Sequence, residues 1–326
     1  MNRCYVSTTE PYHLNSDSLH KLSAIFGERL RKNVALARFT TARIGGPADL
    51  LVEVSSLDEL EELARLLWRE SLNFIILGDG SNVLVSDAGV RGVVVVNRAR
   101  AVRFDERSTP PEVFAESGAN LGVIARQSAA RGLAGLEWAA GIPGTVGGAV
   151  VGNAGAHGGD IAGNLLVADI LHQTRGRESW NVEQLDYRYR SSALKQKKPP
   201  TKAPEVVVLS TRLRLGHSSP EATQARLEEY VVHRRRTQPP GASMGSMFKN
   251  PPGDYAGRLI EAAGLKGYRS GNAQISALHA NFFINLEQAS AADVYHLIQL
   301  ARKAVSEKFG VELELEIELI GDWKTT

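Results

Sequence analysis

Cysteine is almost absent from the 326 residues. Cys4 is the only one, which excludes an intramolecular disulfide and a metal site built from several thiolates, and favours a reducing compartment. Cys4 itself reads as an ordinary tail residue, and no metal is expected. Long apolar runs are missing too: no stretch approaches the roughly 20 residues that a membrane-spanning helix needs. Met1–Leu22 mixes Asn, Ser, Thr, His and charges without an apolar core, so a cytoplasmic protein is expected. Net charge is also scant. The 38 Lys+Arg against 36 Asp+Glu leave +2, too little for a general attraction to nucleic acid or an anionic membrane. Any anionic ligand has to be met locally. Two phosphate motifs are absent as well. No G-x-x-x-x-G-K-[ST] run occurs, and no G-x-G-x-x-G opens a helix after the first strand. Neither a Walker triphosphatase nor a Rossmann dinucleotide site is supported.

What is present suffices for two or three hydrophobic cores, since 43% of the chain is hydrophobic and its length exceeds that of one domain. Residues 1–23 lack sustained periodicity and read as a poorly ordered extension. Leu50–Val54 reads as a strand. Ser56 and Glu59 at capping-box spacing, then Leu60, Leu63, Leu66 and Leu67, mark a helix, and the strand Phe74–Leu77 completes a β-α-β unit. The uncharged run Val93–Val96 is a buried strand. From 101 to about 215 strands at Val113–Ala115, Leu165–Gln173 and Val206–Leu215 surround a helix near Leu121–Arg131. Gly216–Pro220 reads as a linker. Helices follow from Pro220, over Asp254–Ala263, and from Ser290 to Phe309, the last capped by Ser290 and Asp293 and ended by Gly310. Glu312–Ile320 closes as an alternating strand. The expectation is an α+β fold divided at 24–100, 101–216 and 217–326.

Glycine is concentrated. Eleven of the 31 glycines fall between Gly132 and Gly163, and GDGSNVLVSDAGVRG directly follows the strand Phe74–Leu77. Glycines allow positive φ and let successive N–H groups converge on a phosphate, with Ser81 and Asn82 as added donors. Tight turns and helix–sheet packing are the plain alternative. Two long clusters, one at a strand's end, favour a phosphate.

The runs RFTTARIGGPADL, LGDGSNVLVSDAGVRGVV, GLEWAAGIPGTVGGAVVGNAGAHGGDI, YRYRSSALK, GSMFKNP, AGRLIEAAGLKGYRSGNAQISALHANFFIN and LELEIELIG, in this order from Arg38 to Trp323, resemble the UDP-N-acetylenolpyruvoylglucosamine reductase family. The resemblance implies two FAD-binding domains of the vanillyl-alcohol-oxidase and para-cresol-methylhydroxylase type and a C-terminal α+β substrate domain. It implies that FAD is held by Arg43, Ile44, Gly45 and Gly46; by Gly78, Asp79, Gly80, Ser81, Asn82, Val83 and Leu84; by Gly141, Ile142, Pro143, Gly144, Thr145, Gly147 and Gly148; and by Asn153, Ala154, Gly155 and Ile161. With Cys4 outside the matching runs, the FAD is expected to be non-covalent.

The implied reaction is reduction of an enolpyruvyl ether on UDP-N-acetylglucosamine to the lactyl ether, with NADPH as the hydride donor. Three residues fall on the family's catalytic positions: Arg190 for the substrate carboxylate, Ser246 as proton donor to carbon, and Glu316 as a protonated donor to the enolate. Each looks ordinary alone. Arg188 shares a side with Arg190 if the segment is a strand, Ser246 follows Gly245 as a turn residue would, and Glu312, Glu314, Glu316 and Glu318 form one solvated row. Substrate contacts are expected from Arg190, Lys249, Asn250, Gln274 and His279. For Gln274, His279 and Asn281, hydrogen bonds that brace the domain are an equal alternative. The run His233–Pro239 faces either the substrate's phosphates or solvent. The interval from Lys195 to Met244 is too short for the tyrosine-bearing loop that covers the substrate in some relatives, leaving the C-terminal domain as the expected cover. The small-molecule partner is a sugar nucleotide, and a monomer is the expectation.

Two other functions fit parts of the pattern. An oxidase of the same fold would need a base in place of the Arg190, Ser246 and Glu316 set. A non-catalytic nucleotide-binding module would bind no flavin.

Overall fold

The computed structural model describes residues 16–195 and 203–323. Cys4 and the rest of 1–15 lie outside the described residues, but the expected extension does not reach 23. From Ser16 to Phe26 the chain is a helix, α1, whose Leu22 and Phe26 are buried beside Leu50, Val52 and Leu60. Leu19, Leu22 and Phe26 form a short helical stripe that the polar residues between them conceal. Ser18 and Lys21 tie the helix to Glu70.

The first unit is a four-stranded sheet in the order Arg31–Ala35, Pro47–Val54, Val90–Asn97, Phe74–Leu77, with the last three strands mutually parallel. Its central strand explains the uncharged valine run. Val93 and Val95 face the core under α2 (Leu57–Arg69), while Val94 and Val96 face a second core with Leu36, Leu51 and Leu77. A strand covered on both faces has no solvent side to mark with polar residues. Ser56 caps α2 by accepting from the Glu59 amide.

The second unit is a five-stranded antiparallel sheet in the order Gly176–Trp180, Leu165–His172, Val206–Arg214, Glu112–Glu116, Val102–Asp105. Its core takes Leu121, Ile124 and Ala125 from α3 (Leu121–Ala130), Val146, Ala149 and Val150 from α4 (Val146–Gly152), and Ile161 from the short α5 (Ile161–Asn164). Leu171, Val207 and Leu209 from the other face of this sheet join the core under α2, which fastens the two units together.

Gly216–Pro220 is not a slack linker. Gly216–His217 pairs with Leu133–Ala134, Ser218 N–H donates to Gly132 O, and Ser219 caps α6 (Pro220–Thr237). Pro220 at the first helical position starts α6 where the sequence places a helix.

The C-terminal unit sets a sheet ordered Ala242–Ser246, Phe282–Asn285, Ala273–Ile275, Arg269–Ser270 against α7 (Ala256–Ala262) and α8 (Ala291–Phe309). The Ser290–Asp293 capping box and the left-handed Gly310 bound α8 as its sequence requires. The expected strand Glu312–Ile320 is shorter. Only Glu318–Ile320 is a strand, and it lies parallel to Val83–Val85 of the first unit. Upstream, the Leu315 bridge to Phe248 is flanked by Lys249 N–H to Glu314 O and Glu316 N–H to Met247 O. The chain thus changes partner between 315 and 318, and bends there. Among the described residues, no helix is long and apolar enough to cross a membrane.

Candidate active site

The bend decides which glutamate is special. Glu314 and Glu318 keep 72% and 51% of their side chains exposed, whereas Glu316 keeps 17%. A regular strand would have left all of them in one row. Asn82 Nδ2 donates to the Glu316 carbonyl, and Glu318 N–H to the Asn82 carbonyl, so the loop after Phe74–Leu77 fixes the bend.

Arg190 reaches the same point from the second unit. YRYRSS is not a strand: Arg188 and Ser191 exchange both backbone hydrogen bonds across a tight turn, with Arg190 at φ +53°. A non-glycine residue holds that conformation only where its surroundings enforce it. The turn separates the two arginines. Arg188 points outward, 76% exposed and paired with Asp186, while Arg190 is 24% exposed. Arg190 Nε donates to Glu316 Oε1 at 2.7 Å, and its Nη2 donates to Gly155 O at 2.6 Å. Burial pushes the Glu316 carboxyl above the usual range, and this outweighs the opposing pull of Arg190, Lys195 and Lys249.

Both residues line a cavity of about 660 Å³, together with Ser246, Gly245, Lys195 and Asn82. Gly245 has φ +80° and breaks the register between Ala242–Ser246 and Phe282–Asn285, which turns Ser246 toward the cavity wall. Ser246 Oγ makes no hydrogen bond to the described residues. Asn281 braces this segment from behind: its side chain accepts from Phe248 N–H and donates to Phe248 O, and its carbonyl accepts from Met247 N–H.

The two glycine loops continue the wall. Gly78, Asp79, Gly80, Ser81, Asn82 and Val83 line it, as do Ile142, Pro143, Gly144, Thr145, Gly147, Gly148, Ala154 and Gly155. Several of these glycines serve loop-to-loop contact. A Cβ on Gly78 would lie 2.4 Å from Thr145 Oγ1, one on Gly144 2.7 Å from Ser81 Oγ, and Ser81 Oγ donates to Pro143 O. The close packing leaves the amides of Gly80, Ser81, Asn82 and Gly144 without an acceptor among the described residues. The Asp79 carboxylate is engaged by Arg98 and Asn120.

Other expected cofactor residues lie behind the wall. Leu84 and Ile161 are core residues. Arg43, Ile44, Gly45 and Gly46 belong to a turn whose Thr40 hydroxyl bonds the Ile44 backbone and whose Gly46 packs on the Asp87 carbonyl. Thr41 N–H donates to Gly80 O, so the turn props the loop. Gly141 stands beside Arg234, whose Cδ and Nε would lie 3.4 Å from an added Cβ. Of the run His233–Pro239, Arg234 and Gln238 line the cavity. Arg234 is half-buried, has no carboxylate partner among the described residues, and is held below its usual basicity by burial.

The expected substrate residues divide. Lys249 pairs with Glu314 Oε1 and stands close enough to pull on Glu316. Asn250 accepts from the Ala256 amide at the start of α7, Gln274 donates to Gly267 O, and His279 Nδ1 accepts from Asn281 N–H. None of these four lines the cavity. Sequence reasoning missed Lys195, whose Nζ bonds Glu318 and approaches the Glu316 carbonyl, and the buried pair Asn97–Ser117 in the floor. Lys195 ends the run YRYRSSALK, which was the available signal; Asn97 and Ser117 had none. Among the described residues, no Cys or His lines the cavity and no cluster of His, Cys, Asp or Glu is able to bind a metal ion.

Residues 48–175 match the family described as an FAD binding domain, and residues 237–320 the C-terminal domain of UDP-N-acetylenolpyruvoylglucosamine reductase. The chain is 46% identical over 291 residues to UDP-N-acetylenolpyruvoylglucosamine reductase of Chloroflexus aggregans, covering 89% of this chain and 97% of that one. It is 40% identical to the Bacillus subtilis protein of that name over 290 residues, covering 89% and 93%. A crystal structure of the Thermus caldophilus reductase superimposes with a TM-score of 0.74 at 36% identity, covering 90% of this chain and 99% of that one. With relatives this similar along nearly its whole length, the chain belongs to the UDP-N-acetylenolpyruvoylglucosamine reductase family.

Proposed function

We propose that the chain reduces UDP-N-acetylglucosamine enolpyruvate to UDP-N-acetylmuramate, with NADPH as reductant and FAD held non-covalently against the glycine loops. The observation that carries this reading is the Arg190–Glu316 contact at 2.7 Å in the wall of the cavity that also holds Ser246. The cytoplasm, where NADPH is regenerated, is the compartment it implies.

The wall suits a diphosphate: the amides of Gly80, Ser81, Asn82 and Gly144, unpaired among the described residues, offer donors, and Arg234 beside Gly141 offers a cation that no acid among those residues neutralises. The chemistry supplied by bound FAD is relay of a hydride from NADPH to the terminal vinyl carbon of the substrate.

This chain's residues manage charge and the proton. Arg190 takes the substrate carboxylate with its planar fork. In doing so it shares a guanidinium that otherwise serves Glu316, and the cationic pull on Glu316 weakens while its burial persists. Glu316 is then favoured in its protonated form, able to donate to the enolate oxygen as negative charge grows there. Ser246 Oγ, free of other partners among the described residues, gives its proton to the adjacent carbon and completes the lactyl ether, and a proton from solvent restores the hydroxyl.

Anaerobic mixing separates the two halves of the reaction. NADPH is expected to bleach the flavin, and the enolpyruvyl sugar nucleotide to restore its colour. Ser246→Ala is expected to keep the first step and lose the second by at least about 100-fold. A substrate that leaves reduced flavin untouched overturns the reading.

A further inference from the structure

Asn153 stands at the end of α4, 4% exposed and left-handed at φ +44°. Its side chain is fully engaged within the protein. Nδ2 donates to Asp160 Oδ2 at 3.1 Å and to Arg188 O at 3.2 Å, and Oδ1 accepts from Ala162 N–H at 3.0 Å. One partner offers only a hydrogen and another only lone pairs, so the amide orientation is fixed. No amide hydrogen is left for a ligand.

The contact with Arg188 has a counterpart. Asn153 donates to the carbonyl two residues before Arg190, and Arg190 Nη2 donates to the carbonyl two residues after Asn153, that of Gly155 at 2.6 Å. Two segments 35 residues apart are thereby fastened by reciprocal side-chain-to-backbone bonds. Ser192 Oγ adds a bond to Val151 O at 2.7 Å, so the turn carrying Arg190 is anchored to α4 on both sides. This is the enforcement that the positive φ of Arg190 requires.

We propose that Asn153 is a positioning residue for Arg190: by fixing the Arg188 carbonyl and the segment that leads from Asn153 to Gly155, it aims the guanidinium into the cavity before a carboxylate arrives. Its effect on turnover passes through Arg190 and not through contact with the cofactor. The proposal rests on the reading of Arg190 as the carboxylate ligand.

The test uses the full-length holoenzyme. Asn153→Gly removes the side chain while keeping positive φ accessible. It is expected to lower kcat/KM for the enolpyruvyl substrate about 10- to 100-fold, with FAD Kd and the rate of flavin reduction by NADPH within about 2-fold of the parent. In an Arg190→Ala background the same change is expected to lower kcat/KM less than about 3-fold, because the two act as one unit. A second variant guards against misfolding. Asn153→Asp combined with Asp160→Asn keeps the link between these side chains with its polarity reversed and removes the donor to Arg188 alone. It is expected to keep the FAD Kd and the rate of flavin reduction by NADPH within about 2-fold of the parent, the sign of an intact fold, and to show the same loss in kcat/KM. Equal losses from Asn153→Gly in both backgrounds, or weakened FAD binding as its main effect, overturn the proposal alone. Undiminished turnover in Arg190→Ala overturns the role of Arg190 and this proposal with it.

Discussion

Asp87 caps a helix 204 residues further along the chain: its Oδ1 accepts from the amide of Ala291 at 2.8 Å, and its Oδ2 from that of Ala292 at 2.9 Å. The first unit thus supplies acceptors that the start of α8 would otherwise lack. Nearby, Thr41 Oγ1 donates to Ser243 O, Asn285 Nδ2 to Ala42 O and Ser86 Oγ to Asp322 O. Together with the pairing of Glu318–Ile320 on Val83–Val85, these bonds make the C-terminal unit an extension of the first.

Asp87→Ala should therefore cost about 1–2 kcal/mol, the usual price of a lost helix cap, and speed hydrogen exchange at Ala291 and Ala292. Unchanged exchange at both amides would show that the cap contributes nothing.

Arg234→Gln should raise the Kd for FAD about 10- to 100-fold, as expected for loss of a hydrogen bond to a charged group. The melting temperature of the FAD-free protein should not fall, because this half-buried cation has no acid partner among the described residues to lose. FAD affinity equal to the parent's refutes the role of Arg234.

Gly78→Ala should destabilise by about 1–3 kcal/mol, since the new methyl meets Thr145 Oγ1 and Cγ2. Urea unfolding should show a lower midpoint with an unchanged slope. A neutral result would mean that the loops shift apart freely.

If turnover needs protonated Glu316, kcat should fall as pH rises through its elevated pKa. Burial raises that pKa, and Lys195 is among the cations that lower it. Lys195→Met should then move the fall in kcat to higher pH, whereas damage to folding would depress kcat at every pH alike. A limb that moves down or stays fixed removes Glu316 as the titrating group.

The sequence was most informative where structure follows from neighbours along the chain. Leu60, Leu63, Leu66 and Leu67 bury one face of α2, the run Val93–Val96 is covered on both sides, and Ser290 with Asp293 starts α8. It was least informative where a distant partner decides. Glu316 leaves its row because its N–H is held by Met247 O while its carbonyl and the Glu318 amide are held by Asn82, in a different unit. Arg190 differs from Arg188 because a turn, held by Asn153 and Ser192, replaces the expected strand. The glycine clusters suggested a phosphate cradle, yet Gly78 and Gly144 owe their lack of a side chain to the contact between the loops. No local pattern encodes such contacts, so only family resemblance could single out these residues beforehand.

The parallel strand Glu318–Ile320 bears on how the protein is made. The strand it lies against, Val83–Val85, leaves the ribosome more than 200 residues earlier and must wait for it. Pairings so remote in sequence form slowly. Glu316 arrives with this last strand, so a chain still being synthesised can assemble both glycine loops before it acquires the carboxylate.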